Sequence, residues 1–260
     1  MDRRPYERNA FLAALSAADF ALLRSHLASF DLWVGDVLHS FGDRIDDVIF
    51  PHSGLVAAAI PLPEGTRAAT ILSGRDSVVG GFAAAAGVPA AGDAEVHISG
   101  QASRMSAAAF RYLLDHNSSI RRVAALFDAA EMAQAHCTAV CNAVHPVDAR
   151  FCRWLLDIHD RSDGGSVPLT QSTLAHMLGV RRTTITLVAG RLEAAGALNC
   201  RRGYVSVARR EELERRSCHC YLHLKGYVAQ LFASPKEEAP AADAYSSPDV
   251  RIAAQTPVRK

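Results

Sequence analysis

The chain has 260 residues, 49% of them hydrophobic, and a formal net charge of +1, enough apolar material for a sizeable core and for one or two folded domains. No stretch reaches the roughly 18 apolar residues of a membrane span, and the arginines of Met1–Asn9 are not followed by the apolar run of an export signal. No membrane partner and a cytoplasmic location are therefore expected.

Taken in chain order, Ala10–Phe30 has Phe11, Leu15, Leu22, Leu23 and Leu27 at mixed three- and four-residue spacings, which predicts one or two short helices. Between Asp31 and Arg104 the apolar runs shorten to strand length and alternate with Gly, Pro and Asp: 33–38, 46–60, 66–72 and 95–100. Many short strands separated by turns predict a β-roll or barrel. A short helix follows at Ser106–Leu114, then a long one that Ser118 or Ser119 can cap and that runs to about Val144, ahead of Pro146. Its seam of Ile120, Val123, Phe127, Ala130, Gln134, Cys137, Cys141 and Val144 can pack against a second copy of itself or on its own domain. Symmetric dimers are the commonest oligomers, which favours the first. Val147–Arg161 is a further amphipathic helix, with Phe151, Trp154, Leu155 and Ile158 on one face, and Asp163–Ser166 breaks the pattern. Beyond Phe232 the chain turns to Ala, Pro, Ser and charge, the composition of a disordered tail.

Charge is unevenly distributed. Residues 1–144 hold 11 Lys/Arg against 15 Asp/Glu, whereas residues 165–210 hold seven arginines against Glu193 alone. A compact basic region joined to an acidic half points to a polyanionic partner for the basic part. Within it, Leu169–Leu198 predicts two helices and a sharp turn. Thr170 caps Gln171–Leu178, Gly179 supplies the positive φ of the turn, and a second helix from about Arg181 to Ala195 buries Ile185, Val188, Ala189 and Leu192. Arg182, Thr183, Thr186, Leu187 and Gly190 are left on the opposite side, where the second helix of a helix-turn-helix faces the major groove. Two strand-like stretches around a basic turn follow, and Arg201 and Arg202 there can neutralise phosphates as the tip of a wing.

These residues resemble the Crp/Fnr superfamily of bacterial regulators. The resemblance rests on Leu169-Thr170-Gln171, Leu174-Ala175-His176-Met177-Leu178-Gly179, Arg182-Thr183-Thr184-Ile185-Thr186 and Arg191-Leu192-Glu193-Ala194-Ala195-Gly196-Ala197-Leu198. It extends upstream through Gly35-Asp36-Val37-Leu38, Gly42-Asp43, Phe50-Pro51-His52-Ser53-Gly54-Leu55-Val56 and Gly65, in the order found in that family's β-roll. It implies an α+β chain with an N-terminal double-stranded, cyclic-nucleotide-binding-like β-roll, a long dimerisation helix and a C-terminal winged helix-turn-helix. The expected bounds are 1–116 for the roll with its flanking helices, 117–145 for the dimerisation helix, 146–232 for the winged helix-turn-helix and 233–260 for the tail.

The function implied is that of a homodimer, joined through 117–145, that reads a two-fold symmetric operator in double-stranded DNA and acts on RNA polymerase. Arg182 matches a base-contact position, and Arg to guanine is the commonest specific contact. Thr170 and Thr184 match phosphate-holding positions. With Gln171, Arg181, Thr183, Thr186, Leu187, Arg191, Arg201 and Arg202 they make up the candidate DNA-contact set. Thr183 and Leu187 stand where cyclic-AMP regulators of the family carry a glutamate and an arginine, so the operator should differ from theirs.

The family's nucleotide site uses a carboxylate for the ribose and a guanidinium for the cyclic phosphate. The corresponding stretch, Val79–Ala91, has Gly81 and Ala90 at those places. Cyclic AMP is therefore not the expected effector. No cofactor is assigned, and the roll is either a site for an unidentified effector or purely structural.

The six cysteines, with no export signal, are expected to be reduced. Cys137 and Cys141, one helical turn apart, are small buried hydrophobes or an interchain disulfide pair. Cys218, His219 and Cys220, with Cys200 and His223 near in sequence, are the best metal candidates. Against them, a C-x-C pair on a helix spanning Arg209–Tyr221 would point its thiols about 200° apart, and no metal is assigned. Two other classes compete: a sensor or scaffold whose winged helix contacts protein, and an enzyme. No nucleotide-binding loop, nucleophile elbow or zinc-protease motif supports an enzyme, and His39, His52, His97 and His116 are scattered.

Overall fold

A computed structural model describes residues 6–61, 67–162, 166–201 and 204–233. The expected tail lies outside them, apart from Ala233.

Two short helices, α1 (Ala10–Ala14) and α2 (Ala17–Arg24), open the chain, capped by Asn9 and Ser16. Seven strands follow: β1 (Ala28–Leu32), β2 (Val37–His39), β3 (Asp47–Pro51), β4 (Leu55–Pro61), β5 (Arg67–Ser73), β6 (Asp93–Ile98) and β7 (Gly100–Ser106). They form two antiparallel sheets, ordered β1-β7-β3 and β2-β6-β4-β5. Leu32, Ile49, Val56, Val96 and Ala102 fill the space between the sheets. This is the expected double-stranded roll, with two differences in detail. Ala28–Phe30, read as helical, is the first part of β1, and Trp33–Asp36, read as strand, is a turn closed by Asp36 N–H donating to the Trp33 carbonyl.

Between β5 and β6 lies α3 (Gly81–Ala86). After β7 come α4 (Ala107–His116), capped by Ser106, and the long α5 (Ser118–Val144). Phe11 joins them to the roll, its ring 5.4 Å from those of Phe50 and Phe127 and 6.1 Å from that of Phe110.

The seam of α5 turns toward its own chain. Ile120 and Phe127 enter the core beneath α1 and α4, Gln134 Oε1 accepts from the Leu72 amide at 3.1 Å, and Cys141 is fully buried. The reading of that seam as the dimer contact is thus corrected. Ile120, Phe127, Gln134 and Cys141 of that seam are taken up by the roll and the C-terminal half, Val144 at its end stays exposed, and a different face of α5 is left open.

α6 (Val147–Arg161) buries Phe151, Trp154, Leu155 and Ile158 as its periodicity requires, and also Arg153 and Asp157. It is enclosed all round over Phe151–Ile158 rather than on one face. Arg153 Nη1 donates to Asp157 Oδ2 at 2.9 Å and Nη2 to Thr138 Oγ1 at 3.3 Å, which pairs the buried charge.

The remainder is β8 (Ser166–Thr170), α7 (Gln171–Leu178), α8 (Arg182–Ala194), β9 (Leu198–Arg201), β10 (Tyr204–Val207), α9 (Arg210–Arg216) and α10 (Cys220–Phe232). The strands form an antiparallel sheet ordered β8-β10-β9, of which β8 was not expected. One continuous core joins this half to the roll: Leu55, Ala57, Ala69 and Leu72 share it with Leu155, Leu174, Met177 and Ile185. α10 returns to α5, with the Phe232 ring 4.8 Å from that of Phe127.

Candidate nucleic-acid interface

The two helices and their turn are built by local chemistry. The Thr170 hydroxyl accepts from the Thr173 amide at 3.1 Å and fixes the start of α7, whose Leu174, Met177 and Leu178 are buried. At its end Gly179 adopts φ 64°, its amide donates to the His176 carbonyl at 3.1 Å and the Val180 amide to that of Ala175 at 3.0 Å. That paired closure needs a left-handed residue, hence glycine. The Ala68 methyl of the roll would lie 3.1 Å from a Cβ at this position, so close packing adds a second reason. Arg181 is extended and α8 begins at Arg182, with Ile185, Val188, Ala189 and Leu192 in the core.

The opposite face is open. Arg182, Thr183, Thr186, Leu187 and Gly190 are exposed, and Leu187 shows 69% of its surface. An exposed leucine of that size among polar neighbours on a helix suits contact with an apolar group such as a thymine methyl. Thr186 Oγ1 lies 2.9 Å from Gln171 Oε1 and 3.1 Å from the Arg182 carbonyl, so its proton is held on its own side of the groove-facing surface. Thr184 is half-buried and the Thr170 hydroxyl is occupied in capping. Arg181 and Arg201 are exposed, and neither they nor Arg182 pairs with a carboxylate among the described residues.

Not every arginine of the basic region is available to a polyanion. Arg191 holds the Asp148 carboxylate at 2.7 and 2.8 Å. Arg209 donates to the Gly196 carbonyl at 3.0 Å and to that of Ala195, closing the end of α8. Arg210 lies between Asp160 and Glu214, 2.8 Å from each. Counting charge overstated the DNA-facing surface, because these three guanidinium groups are held by partners in the chain itself. Arg202 lies outside the described residues.

Tyr204, exposed beside Arg201 on the wing strands, and Thr173 and His176 on α7 complete the surface and were missed. An aromatic next to a basic turn was the available signal for Tyr204; α7 offered none beyond polarity. These residues, with Thr170 and Arg181, border a cleft of about 1040 Å³ whose far wall carries Asp93, Glu95 and His97 of β6.

In the roll, α3 stands where the sequence placed the nucleotide-binding stretch. A Cβ on Gly81 would meet Val78 Cγ1 at 3.0 Å, and Ala90 is buried with its backbone bonded to Gly42 and Asp43 at 2.8 Å each. The only side chain bonded to α3 among the described residues is Arg111, whose Nε donates to the Ala84 carbonyl at 3.0 Å.

Cys200 and His223 do not join Cys218 and Cys220. Their expected helix is interrupted: α9 ends at Arg216 and α10 starts at Cys220, so the premise that set the two thiols about 200° apart does not hold. Instead Cys218 and Cys220 meet Cys141 and His145 at the end of α5, while His219 is exposed. An interchain disulfide through Cys141 is not open to it, because that thiol faces inward.

The family model for the Crp-like helix-turn-helix domain matches residues 149–216, which contain α7, the Gly179 turn, α8 and the wing. This part of the chain is a Crp-like helix-turn-helix domain. The whole fold is similar to that of FixK2 from Bradyrhizobium japonicum, with a TM-score of 0.65, 16% identity, and 74% of this chain and 98% of that one covered. It is similar also to the c-di-GMP responsive global regulator CLP of Xanthomonas campestris, with a TM-score of 0.61 and 16% identity over 75% of this chain and 100% of that one. A CRP/FNR-family transcriptional regulator of Thermus thermophilus gives a TM-score of 0.59 and 20% identity over 73% and 98%. No curated protein matches the sequence. The Crp-like domain thus sits on a β-roll and long helix arranged as in Crp/Fnr regulators, and no helix among the described residues is long and apolar enough to cross a membrane.

Proposed function

We propose that the chain is a sequence-specific transcription regulator that binds duplex DNA as a homodimer, with α8 in the major groove. The observation that carries this reading is the open face of α8 within a Crp-like domain: Arg182, Thr183, Thr186 and Leu187 exposed together, with Arg182 free of any carboxylate among the described residues. Arg182 reads guanine, Leu187 a thymine methyl, and Arg181, Arg201 and Arg202 hold phosphates. Thr170 and Gln171 act mainly by fixing the two helices, Thr184 holds phosphate, and Arg191 through Asp148 anchors α8 to α6.

Dimerisation uses the face of α5 that the chain leaves open. Met132, His136, Ala139 and Ala143 are exposed and Ala129 half-buried, at alternating four- and three-residue steps with Ala125. Small side chains in that register allow two helices to approach closely as a coiled coil. Two α8 helices then read half-sites about one DNA turn, roughly 34 Å, apart. RNA polymerase is the partner on which such a regulator acts.

The roll does not take cyclic AMP. Gly81 and Ala90 provide neither carboxylate nor guanidinium, and both are buried. Calorimetric titration should show no micromolar cyclic-AMP binding; such binding would refute this part.

Selection of bound sequences from a random duplex library with the purified chain tests the main reading. An enriched palindrome is expected. No enrichment even at low salt would favour a winged helix that contacts protein instead.

A further inference from the structure

We infer that Cys141, His145, Cys218 and Cys220 form a binding site for a single four-coordinate divalent metal of the zinc type. Cys141 and His145 sit one turn apart at the end of α5, and Cys218 and Cys220 bracket His219 where α9 gives way to α10. Elements 73 or more residues apart are thereby brought to one point, and the four ligand atoms lie within 4.8 Å of one another.

Two of the distances lie close to the edges of a tetrahedral site, and small side-chain adjustments would complete it. With zinc–sulfur bonds of about 2.3 Å and zinc–nitrogen bonds of about 2.0–2.1 Å, a tetrahedral site has sulfur–sulfur edges of about 3.8 Å and sulfur–nitrogen edges of about 3.6 Å. Cys141 Sγ and Cys218 Sγ are 3.4 Å apart, and Cys220 Sγ and His145 Nδ1 are 3.6 Å apart. The sulfur pair is too far apart for a disulfide, whose bond is about 2.05 Å. The whole set is too compact for an iron–sulfur cluster, which spreads its ligands over several irons. Thiolate-rich tetrahedral sites select zinc among the common divalent ions.

Burial and charge support the same assignment. All three cysteines are buried, as in structural zinc sites, which have no open position for substrate. A zinc ion with three thiolates and one imidazole carries a net charge of −1, and a buried anion requires a nearby cation. Arg150, only 9% exposed, lies within Coulombic reach of the Cys141 and Cys218 sulfurs. Its Nη2 donates to the Leu178 carbonyl at 2.7 Å, its Nε has no hydrogen-bond partner, and no carboxylate pairs with it among the described residues. Arg153, whose own charge is paired with Asp157, also lies within Coulombic reach of the Cys141 sulfur. Binding replaces three thiol protons by the metal and releases them to solvent. The bound ion ties the end of α5 to the α9–α10 connector, and so fixes the helix-turn-helix half against the long helix.

The test is metal titration of the full chain, purified reduced and without oxygen, stripped with chelator and shown by circular dichroism to be folded. Cobalt(II) should bind one per chain with the sulfur-to-metal charge-transfer and intense visible bands of four-coordinate thiolate ligation, and one equivalent of zinc should displace it. Cys218→Ser and His145→Ala should each weaken binding at least about tenfold, whereas Cys152→Ser and Cys200→Ser should bind as the parent chain does. Absence of thiolate–cobalt bands in the folded, reduced parent chain would overturn the assignment. So would full retention of those bands in the Cys218→Ser/Cys220→Ser double variant, or a Cys141–Cys218 disulfide as the only form that mass spectrometry detects after gentle reduction.

Discussion

Two neighbouring helices use arginine in opposite ways. On α8, Arg182 stands on an open face and has no carboxylate partner among the described residues; on α6, Arg153 is 1% exposed and held by Asp157 and Thr138. The first is positioned to meet an outside anion, and the second neutralises groups already inside. Net charge along a sequence cannot distinguish them, since a guanidinium counts the same in both places. Of the seven arginines in residues 165–210, Arg191, Arg209 and Arg210 are also held by groups of the chain, Arg191 and Arg209 at its surface.

Substitutions sharpen this contrast, and the largest effect is expected inside. Arg153→Ala leaves Asp157 uncompensated in the core and should cost about 3–5 kcal/mol of stability by denaturant unfolding; a change below about 1 kcal/mol would show that the pair is not an essential part of the α5–α6 contact. On the open side, Arg201→Ala should weaken DNA binding uniformly across operator sequences and reduce the salt slope of log K by about 1. A sequence-dependent loss would mean that Arg201 reads a base.

Acidic groups show the same division between inside and outside. Burial, together with the neighbouring Asp128 carboxylate, pushes Glu131 up to about 7, and burial pushes Asp128 up to about 6. A raised carboxyl pKa means that the fold binds protons more tightly than the unfolded chain does. Stability should therefore fall as pH rises from about 4.5 to about 7. Glu131 keeps some contact with water, so Glu131→Gln should recover about 1–2 kcal/mol at pH 8 and little at pH 4. Equal stabilisation at both pH values would remove the titration as the cause. The smallest effect belongs to Arg191→Ala, whose exposed pair with Asp148 makes it a strut: DNA affinity should change by less than about 0.5 kcal/mol. A tenfold loss would return Arg191 to the DNA-contact set.

Sequence periodicity was informative where one face is simply apolar. Ile185, Val188, Ala189 and Leu192 mark the buried side of α8, and by subtraction its open side. Gly179 marks the turn because only a residue tolerant of positive φ closes it in this way. α5 was harder to read, because it has two faces capable of packing. One carries Ile120, Phe127 and Cys141; the other carries Ala125, Met132, His136 and Ala143. Spacing alone does not say which one the chain itself covers. β8 was missed because Pro168 interrupts a very short strand that is made only by pairing with β10. The meeting of Cys141 and His145 with Cys218 and Cys220 was not legible, since it depends on α10 folding back along α5 and on the break at Ser217–His219.

The central claim is that the open face of α8 reads base sequence. Affinities of the parent chain and of Arg182→Ala for the selected operator, and for operators altered one base pair at a time, test it most directly. Arg182→Ala should lose about 1–3 kcal/mol on the parent operator and become indifferent to one symmetry-related base pair in each half-site. An equal loss on every sequence, with all base preferences intact, would contradict the claim and reduce Arg182 to a phosphate contact.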